Sequence, residues 1–309
     1  MENNNSAVEI VAARKTFGDK VAVDGLSLTV PRGTVYGFIG PNGSGKSTTL
    51  RMIMRILHPD SGTIRVLGQD ATSGDAASDR LGYLPEERGL YRKMFVGELL
   101  EFFAALKGLR NCREEIRRWL ARMDLADYEK KRVEALSKGM SQKVQFIATV
   151  LHRPELVILD EPFSGLDPVN MDVLKDAVLD LKREGSTILF STHDMDVAER
   201  MCDFIFMIFN GRKVLDGTLD SIQQQYGADT LRVRTAGNGV HFDRLPGVER
   251  VNDFGRFQEL RMAPGADVQI ILQQLMTQTR VEHFELARPS LHDIFVRIAA
   301  PQEPEGRHA

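Results

Sequence analysis

The segment that most constrains the fold of this chain is a glycine-rich stretch, Gly40–Thr48, which follows an apolar run and precedes a helical pattern. It reads GPNGSGKST and matches the pattern Gly-x-x-x-x-Gly-Lys-Ser. Glycines allow a turn so tight that successive backbone N–H groups converge on phosphate oxygens, and the N-terminus of the following helix adds partial positive charge. The stretch therefore predicts a buried strand, a phosphate-binding loop and a helix in direct succession, as in an α/β fold.

Two side chains of this loop have distinct expected roles. Lys46 is predicted to bind the β- and γ-phosphates of a nucleotide, and Ser47 to bind a Mg²⁺ ion. The other loop residues expected to bind the nucleotide are Asn42, Gly43, Ser44, Gly45 and Thr48. The flanking strand and helix patterns disfavour the alternative, a glycine-rich turn without a ligand, and the loop alone leaves the choice between ATP and GTP open.

Carboxylates end a second apolar run, Leu156–Asp160. Because ligands of open α/β sheets lie at the carboxyl ends of strands, we expect Asp160 to complete the Mg²⁺ shell beside Ser47. Glu161 follows and is the predicted catalytic residue that polarises the attacking water. The alternative for this pair is a solvated acidic strand end, which the phosphate loop upstream disfavours.

A histidine, His193, closes a third apolar run that begins at Thr187. A single histidine is more often a satisfied surface or core residue, but a position at the end of a strand favours contact with the ligand. We therefore predict that His193 senses the γ-phosphate or the attacking water. The predicted catalytic residues are then Lys46, Glu161 and His193.

The order of apolar and helical segments predicts the domain organisation. Strands of a parallel sheet are predicted from the apolar runs Val8–Ala13, Thr34–Gly40, Leu156–Asp160, Thr187–Ser191 and Phe204–Phe209. Helical periodicity predicts a helical insertion at about 90–152, and the pattern after Gly217 predicts a small α+β domain. We expect a disordered start over 1–7, a nucleotide-binding domain over 8–218, an accessory domain over 219–300 and a disordered tail over 301–309.

Composition limits the classes of partner. The 309 residues carry a formal net charge of −3, so there is no broad basic field for a phosphate backbone and no nucleic-acid partner is expected. The two cysteines, Cys112 and Cys202, lack metal-ligand spacing and are expected to be reduced thiols. The most apolar run, Phe204–Phe209, is far shorter than the ~18 residues that span a bilayer.

A further motif gives these residues a family context. Leu136–Gln142 reads LSKGMSQ, with Ser137 as a suitable N-cap for the apolar-faced helix that follows. This segment resembles the signature sequence of the ATP-binding cassette (ABC) family. The phosphate loop, Asp160-Glu161, Ser164–Asp167 and His193 resemble other motifs of the same family. The resemblance extends from about Val8 to Gly217 and implies a P-loop NTPase fold of ABC type.

What the resemblance implies is a shared catalytic site. Two cassettes pack head to tail, and each ATP lies between one phosphate loop and the signature helix of the other subunit, at Ser137 and Gly139. Phe17 occupies the family's position for an adenine contact, although a core role is the alternative. Glu86 stands where most relatives carry a glutamine that touches Mg²⁺, and Lys138 replaces a signature glycine.

A closer resemblance is to bacterial exporter ATPases, which is carried by Leu84–Tyr91 and Pro289–Phe295. It implies an ATP-hydrolysing subunit that energises an exporter, with integral membrane subunits in separate chains and a second ATPase subunit, most simply a homodimer. The expected location is cytoplasmic, on the inner face of the membrane. The alternative is a soluble ABC ATPase of translation or DNA repair, which the single cassette and the lack of a long heptad run disfavour.

Overall fold

The computed structural model describes residues 5–70, 78–87, 89–226, 230–236 and 240–299. Its contacts divide the chain into two compact units, Met1–Thr218 and Leu219–Ala309. Among the described residues, no helix combines the length and the apolar character needed to cross a bilayer. Residues 1–4 of the predicted disordered start (1–7) and the whole predicted disordered tail (301–309) lie outside the described residues.

The first unit alternates strands and helices. Its strands are β1 (Ser6–Phe17), β2 (Lys20–Pro31), β3 (Val35–Ile39), β4 (Ser61–Val66), β5 (Gln69–Asp70), β6 (Leu81–Leu84), β7 (Leu156–Asp160), β8 (Thr187–Thr192), β9 (Phe204–Phe209) and β10 (Arg212–Gly217). Its helices are α1 (Lys46–Ile53), α2 (Val96–Leu106), α3 (Arg113–Arg122), α4 (Lys138–Val150), α5 (Pro168–Arg183) and α6 (Met195–Met201). Short 3-10 turns lie at Ser78–Arg80, Ala126–Tyr128 and Val133–Ala135.

The central sheet has six strands in the order β10-β9-β3-β8-β7-β6. All neighbouring pairs are parallel except β9 with β10, which are joined by a tight turn. Every residue of β3, β7 and β8 is buried, as expected for strands covered on both faces. The predicted α/β fold is confirmed, and the strands predicted from Thr34, Leu156, Thr187 and Phe204 lie in this sheet.

A second sheet corrects one prediction. The run Val8–Ala13 does not belong to the parallel sheet but to β1, which pairs antiparallel with β2 and β4 in the order β2-β1-β4-β5. Its side chains alternate in burial, since Val8 and Ile10 are buried whereas Val11 is 59% exposed, as in a sheet with one solvated face. The strand also begins at Ser6, so Ser6 and the buried Ala7 are ordered parts of the sheet and not part of a loose end.

The helical insertion follows β6 and ends before β7, as predicted. Helices α2, α3 and α4 bury their apolar faces in one core around Leu99, Ile116, Trp119 and Phe146. Ser137 caps α4, because its hydroxyl accepts a hydrogen bond from the backbone N–H of Met140 at 3.2 Å. The signature segment is therefore the start of a helix.

The second unit is a small α+β domain. It contains α7 (Leu219–Tyr226), β11 (Thr230–Ala236), β12 (Val248–Asp253), β13 (Gln258–Met262), α8 (Val268–Gln278), β14 (Arg280–Ala287) and α9 (Leu291–Ala299). The strands form an antiparallel sheet in the order β12-β13-β11-β14. Ile271 and Leu275 of α8 are fully buried in the same core as Leu231 and Leu260, so this helix packs on the sheet of its own domain.

Candidate nucleotide-binding and catalytic site

The loop between β3 and α1 requires glycine at two points where the backbone is closely approached. Gly45 has φ 111°, and a Cβ there would lie 2.5 Å from the carbonyl oxygen of Ala22. A Cβ on Gly40 would lie 2.2 Å from the carbonyl oxygen of Ile208. No other residue fits this path without displacing β2 or β9, so the motif glycines are fixed by the packing of neighbouring strands.

Lys46, the first residue of α1, is folded back against the loop. Its ammonium donates to the carbonyl oxygens of Gly40 at 2.7 Å and Pro41 at 3.2 Å. Only 5% of the residue is exposed, and this burial lowers its pKa, although the carboxylates of Glu161, Asp160 and Glu86 oppose the shift. The loop thus holds a buried cation where a phosphate chain is expected.

Asp160 ends β7 and is held by two hydroxyl groups. Ser191 of the neighbouring β8 donates to its carboxylate at 2.5 Å, and the hydroxyl of Ser47 donates at 3.3 Å. The backbone N–H of Glu161 donates to Ser191 Oγ at 3.0 Å. Ser191 was not predicted as a site residue, although its position just before His193 at a strand end was the available signal.

Glu161 is buried and conformationally strained. Its φ is 51°, a left-handed conformation that costs a non-glycine residue about 1–2 kcal/mol. Both carboxylate oxygens lie 3.0 Å from Nδ1 of His193, and one lies 3.7 Å from the ammonium of Lys46. The three predicted catalytic residues therefore meet, with the carboxylate between a cation and an imidazole.

A cleft of about 390 Å³ lies in front of the loop. It is lined by Phe17, Lys20, Ala22, Asn42, Gly43, Gly45, Lys46, Ser47, Thr48, Glu86 and Glu161. Lys20 and Ala22 were not predicted, because their strand β2 was not predicted either. Ser44 does not line the cleft, but its hydroxyl is buried and has no hydrogen-bond partner within the part of the chain that the structure describes.

Phe17 lies at the rim of the cleft. It is 49% exposed, which excludes the alternative of a core residue. The ammonium of Lys15 sits 5.7 Å from the ring centroid, and Asp60 binds Lys15 at 2.8 Å and the backbone N–H of Thr16 at 2.6 Å. These hydrogen bonds lower the pKa of Asp60 to about 2, so it is ionised at neutral pH and holds the strand end that presents the ring.

Two predicted residues lie elsewhere. Ser137 and Gly139 begin α4 and do not line the cleft; Gly139 lies beside Leu166 and Asn170. One chain therefore brings together the phosphate loop, the carboxylates and the histidine, but not the signature segment.

The oxygen atoms around the phosphate loop fit a magnesium ion. Mg²⁺ prefers oxygen ligands and is usually held by one or two carboxylates together with substrate phosphates. The hydroxyl oxygen of Ser47 and a carboxylate oxygen of Asp160 lie 3.3 Å apart, and Glu86 adds a carboxylate to the cleft. This donor set consists of hard oxygen atoms only.

Comparison with known proteins accounts for both units. The ABC transporter family model matches residues 23–164, and the C-terminal domain of DrrA1-3-like ATP-binding proteins matches residues 217–299. The uncharacterized ABC transporter ATP-binding protein YhaQ of Bacillus subtilis is 43% identical over 284 residues, which are 91% of this chain and 95% of that protein. The chain belongs to the ABC transporter ATP-binding proteins.

Other members of the ABC family have functional names. Daunorubicin resistance ATP-binding protein DrrA3 of Streptomyces coeruleorubidus is 34% identical to this chain. The alignment covers 95% of this chain and 96% of that protein. Nod factor export ATP-binding protein I of Sinorhizobium fredii is 34% identical to this chain, and the alignment covers 94% of this chain and 85% of that protein. A solved ATP-binding subunit of an ABC transporter superposes with a TM-score of 0.67 at 33% identity, covering 72% of this chain and 94% of its own.

Membership in the ABC family decides between the nucleotide alternatives. The chain binds and hydrolyses ATP, as ABC ATP-binding domains do. The named relatives are transporter subunits, so the comparison does not favour an ATPase of translation or DNA repair. Subunits of this family generally dimerise and pair with transmembrane subunits.

The close approach at Gly45 leads to a testable prediction. Gly45→Ala is expected to weaken ATP binding by at least about tenfold, because the new Cβ must displace the Ala22 carbonyl and distort the loop; equilibrium binding of a fluorescent ATP analogue measures this. Gly185→Ala is the matched control, since Gly185 has a similar φ of 102° but open space around its Cβ position. Equal ATP affinities of the two variants would contradict the packing argument.

Proposed function

We propose that this chain is the ATPase subunit of an exporter whose substrate pathway lies in separate integral membrane subunits. The observation that carries the proposal is the match to named drug-resistance and Nod factor export proteins along both units of the chain. The chain then works as a peripheral subunit at the inner face of the membrane, where ATP is available.

In this proposal the loop binds the phosphates of ATP with backbone N–H groups, the N-terminus of α1 and Lys46. Ser47 and Asp160 hold Mg²⁺, and Glu86 contributes a further oxygen in place of the family's glutamine. An ion held by these residues would supply positive charge that offsets the negative charge developing on the phosphates. The hydroxyl of Ser191 keeps the Asp160 carboxylate facing Ser47. Phe17 stacks on the adenine ring.

Glu161 acts as the base that orients and deprotonates the attacking water. Its backbone strain and its hydrogen bond to Ser191 fix the carboxylate at the end of β7, and Lys46 and His193 stabilise its negative charge. His193 is more than half exposed at its side chain, so it can contact both the carboxylate and a ligand in the cleft. Positioning of this kind supplies most of the catalysis in phosphoryl transfer.

A second copy of the chain completes the site. The start of α4, with Ser137 and Gly139, lies outside the cleft of its own chain and presents a helix N-terminus that favours anions. In a head-to-tail homodimer each such helix faces the ATP held by the other copy. Each ATP is then clamped between two helix N-termini.

The roles of Lys46 and Glu161 predict different defects. Lys46→Ala is expected to weaken nucleotide binding and to lower kcat by about 10²–10³ or more, because a fixed cation that faces the transferred phosphate is lost. Glu161→Gln keeps the shape of the site and is expected to retain ATP binding while losing hydrolysis. Phosphate release and nucleotide binding, measured on both purified variants, check this; near-normal turnover in either one would contradict the assigned role.

The position of Glu86 predicts a change in metal dependence. Glu86→Ala is expected to raise the Mg²⁺ concentration for half-maximal turnover by roughly tenfold, because an oxygen partner of the metal is removed. Glu87→Ala is the control, since Glu87 is also exposed but does not line the cleft. An unchanged Mg²⁺ dependence of Glu86→Ala would move this residue from the metal site to a structural role.

The transport role predicts a membrane partner. The tagged chain is expressed in the organism that encodes it, and the membranes are extracted with a mild detergent. It is expected to co-purify with integral membrane proteins that raise its ATPase rate. Mass spectrometry of the complex and the rate of phosphate release measure the two effects. Recovery of an active ATPase with no membrane protein would oppose the exporter assignment and leave the ATPase assignment intact.

A further inference from the structure

A stripe of buried polar side chains runs along α4 and has no role in the mechanism above. It consists of Gln142, Gln145 and Thr149, which the spacing i, i+3 and i+7 places on one side of the helix. Burial of an amide or a hydroxyl group is unfavourable unless the group is hydrogen-bonded. The hydrogen-bond partners of this polar stripe therefore indicate what it supports.

Two members of the polar stripe contact β6 and the segment that leaves it. The hydroxyl of Thr149 donates to the carbonyl oxygen of Gln145 in its own helix at 2.9 Å and lies 3.4 Å from the carbonyl oxygen of Tyr83. Tyr83 lies inside β6, where its backbone is already paired with β7. The side-chain amide of Gln145 donates at 3.4 Å to the carbonyl oxygen of Glu87, just beyond the end of β6.

The third member, Gln142, reaches the segment that carries the catalytic carboxylate. Its side-chain amide donates to the carbonyl oxygen of Pro162, the residue directly after Glu161. The backbone N–H of Glu161 donates to the hydroxyl of Ser191 at 3.0 Å. The chain is therefore held by a hydrogen bond on each side of Glu161, from β8 on one side and from α4 on the other.

Packing contacts join α4 to the same segment. A Cβ on Gly139, in the first turn of α4, would lie 3.3 Å from a methyl group of Leu166. A Cβ on Gly165 would lie 2.7 Å from the ammonium nitrogen of Lys138. The start of α4 and the loop Pro162–Asp167 are thus in direct contact, and the Gln142 amide is hydrogen-bonded across this junction.

Glu161 depends on such support because its backbone is strained. Its φ of 51° lies in the left-handed region, where a residue with a side chain stays only if the surrounding structure enforces it. Without the Gln142 amide, the chain after Glu161 is free to relax, and the carboxylate then moves relative to the ammonium of Lys46. A displacement of about 1 Å at a reacting group can lower a rate by about a hundredfold.

We propose that Gln142 is a positioning residue for ATP hydrolysis: its amide holds the Pro162 carbonyl and thereby keeps Glu161 in its strained conformation. The inference rests on the proposed role of Glu161 as the base. Gln142 does not line the cleft, so binding of ATP to the phosphate loop does not depend on it. In the proposed dimer, the helix that begins at Ser137 then contacts the ATP of one site and supports the carboxylate of the other.

The test separates the hydrogen bond from packing. Gln142→Met keeps an unbranched side chain of similar length without a donor, and it is expected to lower kcat by about tenfold to a hundredfold. Gln142→Glu keeps the shape of the side chain but, when ionised, offers only acceptor oxygens, so its kcat is expected to fall at least as far. The affinity of both variants for a fluorescent ATP analogue is expected to stay unchanged.

Thr149→Val is the matched control, because it removes a buried hydroxyl of the polar stripe that is bonded within α4 and faces β6. It is expected to keep the wild-type kcat. Phosphate release and equilibrium binding of the analogue, measured on the full-length chains, provide these values.

A wild-type kcat in Gln142→Met would overturn the proposal, and so would equal losses of kcat and ATP affinity in that variant. A wild-type kcat in Gln142→Glu would show that shape alone is sufficient, and a Thr149→Val chain as slow as Gln142→Met would show general damage to α4; either result would also overturn it. Loss of hydrolysis in the wild-type chain itself would instead refute the proposed function.

Discussion

The candidate site depends on the parallel pairing of β3, β8 and β7, which brings three strand ends to one edge of the sheet. Ile39 lies opposite Thr192 and Asp160 lies opposite Ser191, so the segments that leave these strands start side by side. Those segments carry the phosphate loop after β3, Glu161 after β7 and His193 after β8. The side chains of these strands are packed on both faces of the sheet, so a shift in register would disrupt that packing. The chemistry therefore lies in the residues just beyond a rigid hydrophobic frame.

The frame supports a site that is unfavourable for stability. Lys46, Asp160 and Glu161 are charged and buried within a few ångströms of one another, and Glu161 also carries backbone strain. Removing charges from water is costly unless they are paired and hydrogen-bonded, and here the carbonyls of the loop and the hydroxyl of Ser191 supply the partners. Backbone strain and buried charge of this kind are typical of active sites, where the surrounding structure keeps a residue in a conformation that is unfavourable for stability.

The parts of the site that could be predicted from sequence are those in which a strand pattern is directly followed by the functional residues. The phosphate loop and Asp160-Glu161 each follow a continuous apolar run, which is typical of a strand buried on both faces. The antiparallel sheet was less accessible, because the half-exposed strand β1 resembles a buried run and β2 was not recognised; Lys20 and Ala22 were missed with it. Ser191 acts through Asp160, a neighbour that is distant in sequence, so only the three-dimensional structure reveals this contact.

Separation of the signature segment from the cleft makes the account depend on a second copy. Ser137 and Gly139 begin a capped helix that does not line the cleft of its own chain, whereas the predicted catalytic residues Lys46, Glu161 and His193 meet one another at the phosphate loop. The most direct measurement is sedimentation velocity of the Glu161→Gln chain with saturating ATP and Mg²⁺. A shared site predicts a dimer that forms with ATP and dissociates on its removal. A chain that remains monomeric while saturated with ATP would contradict the shared site.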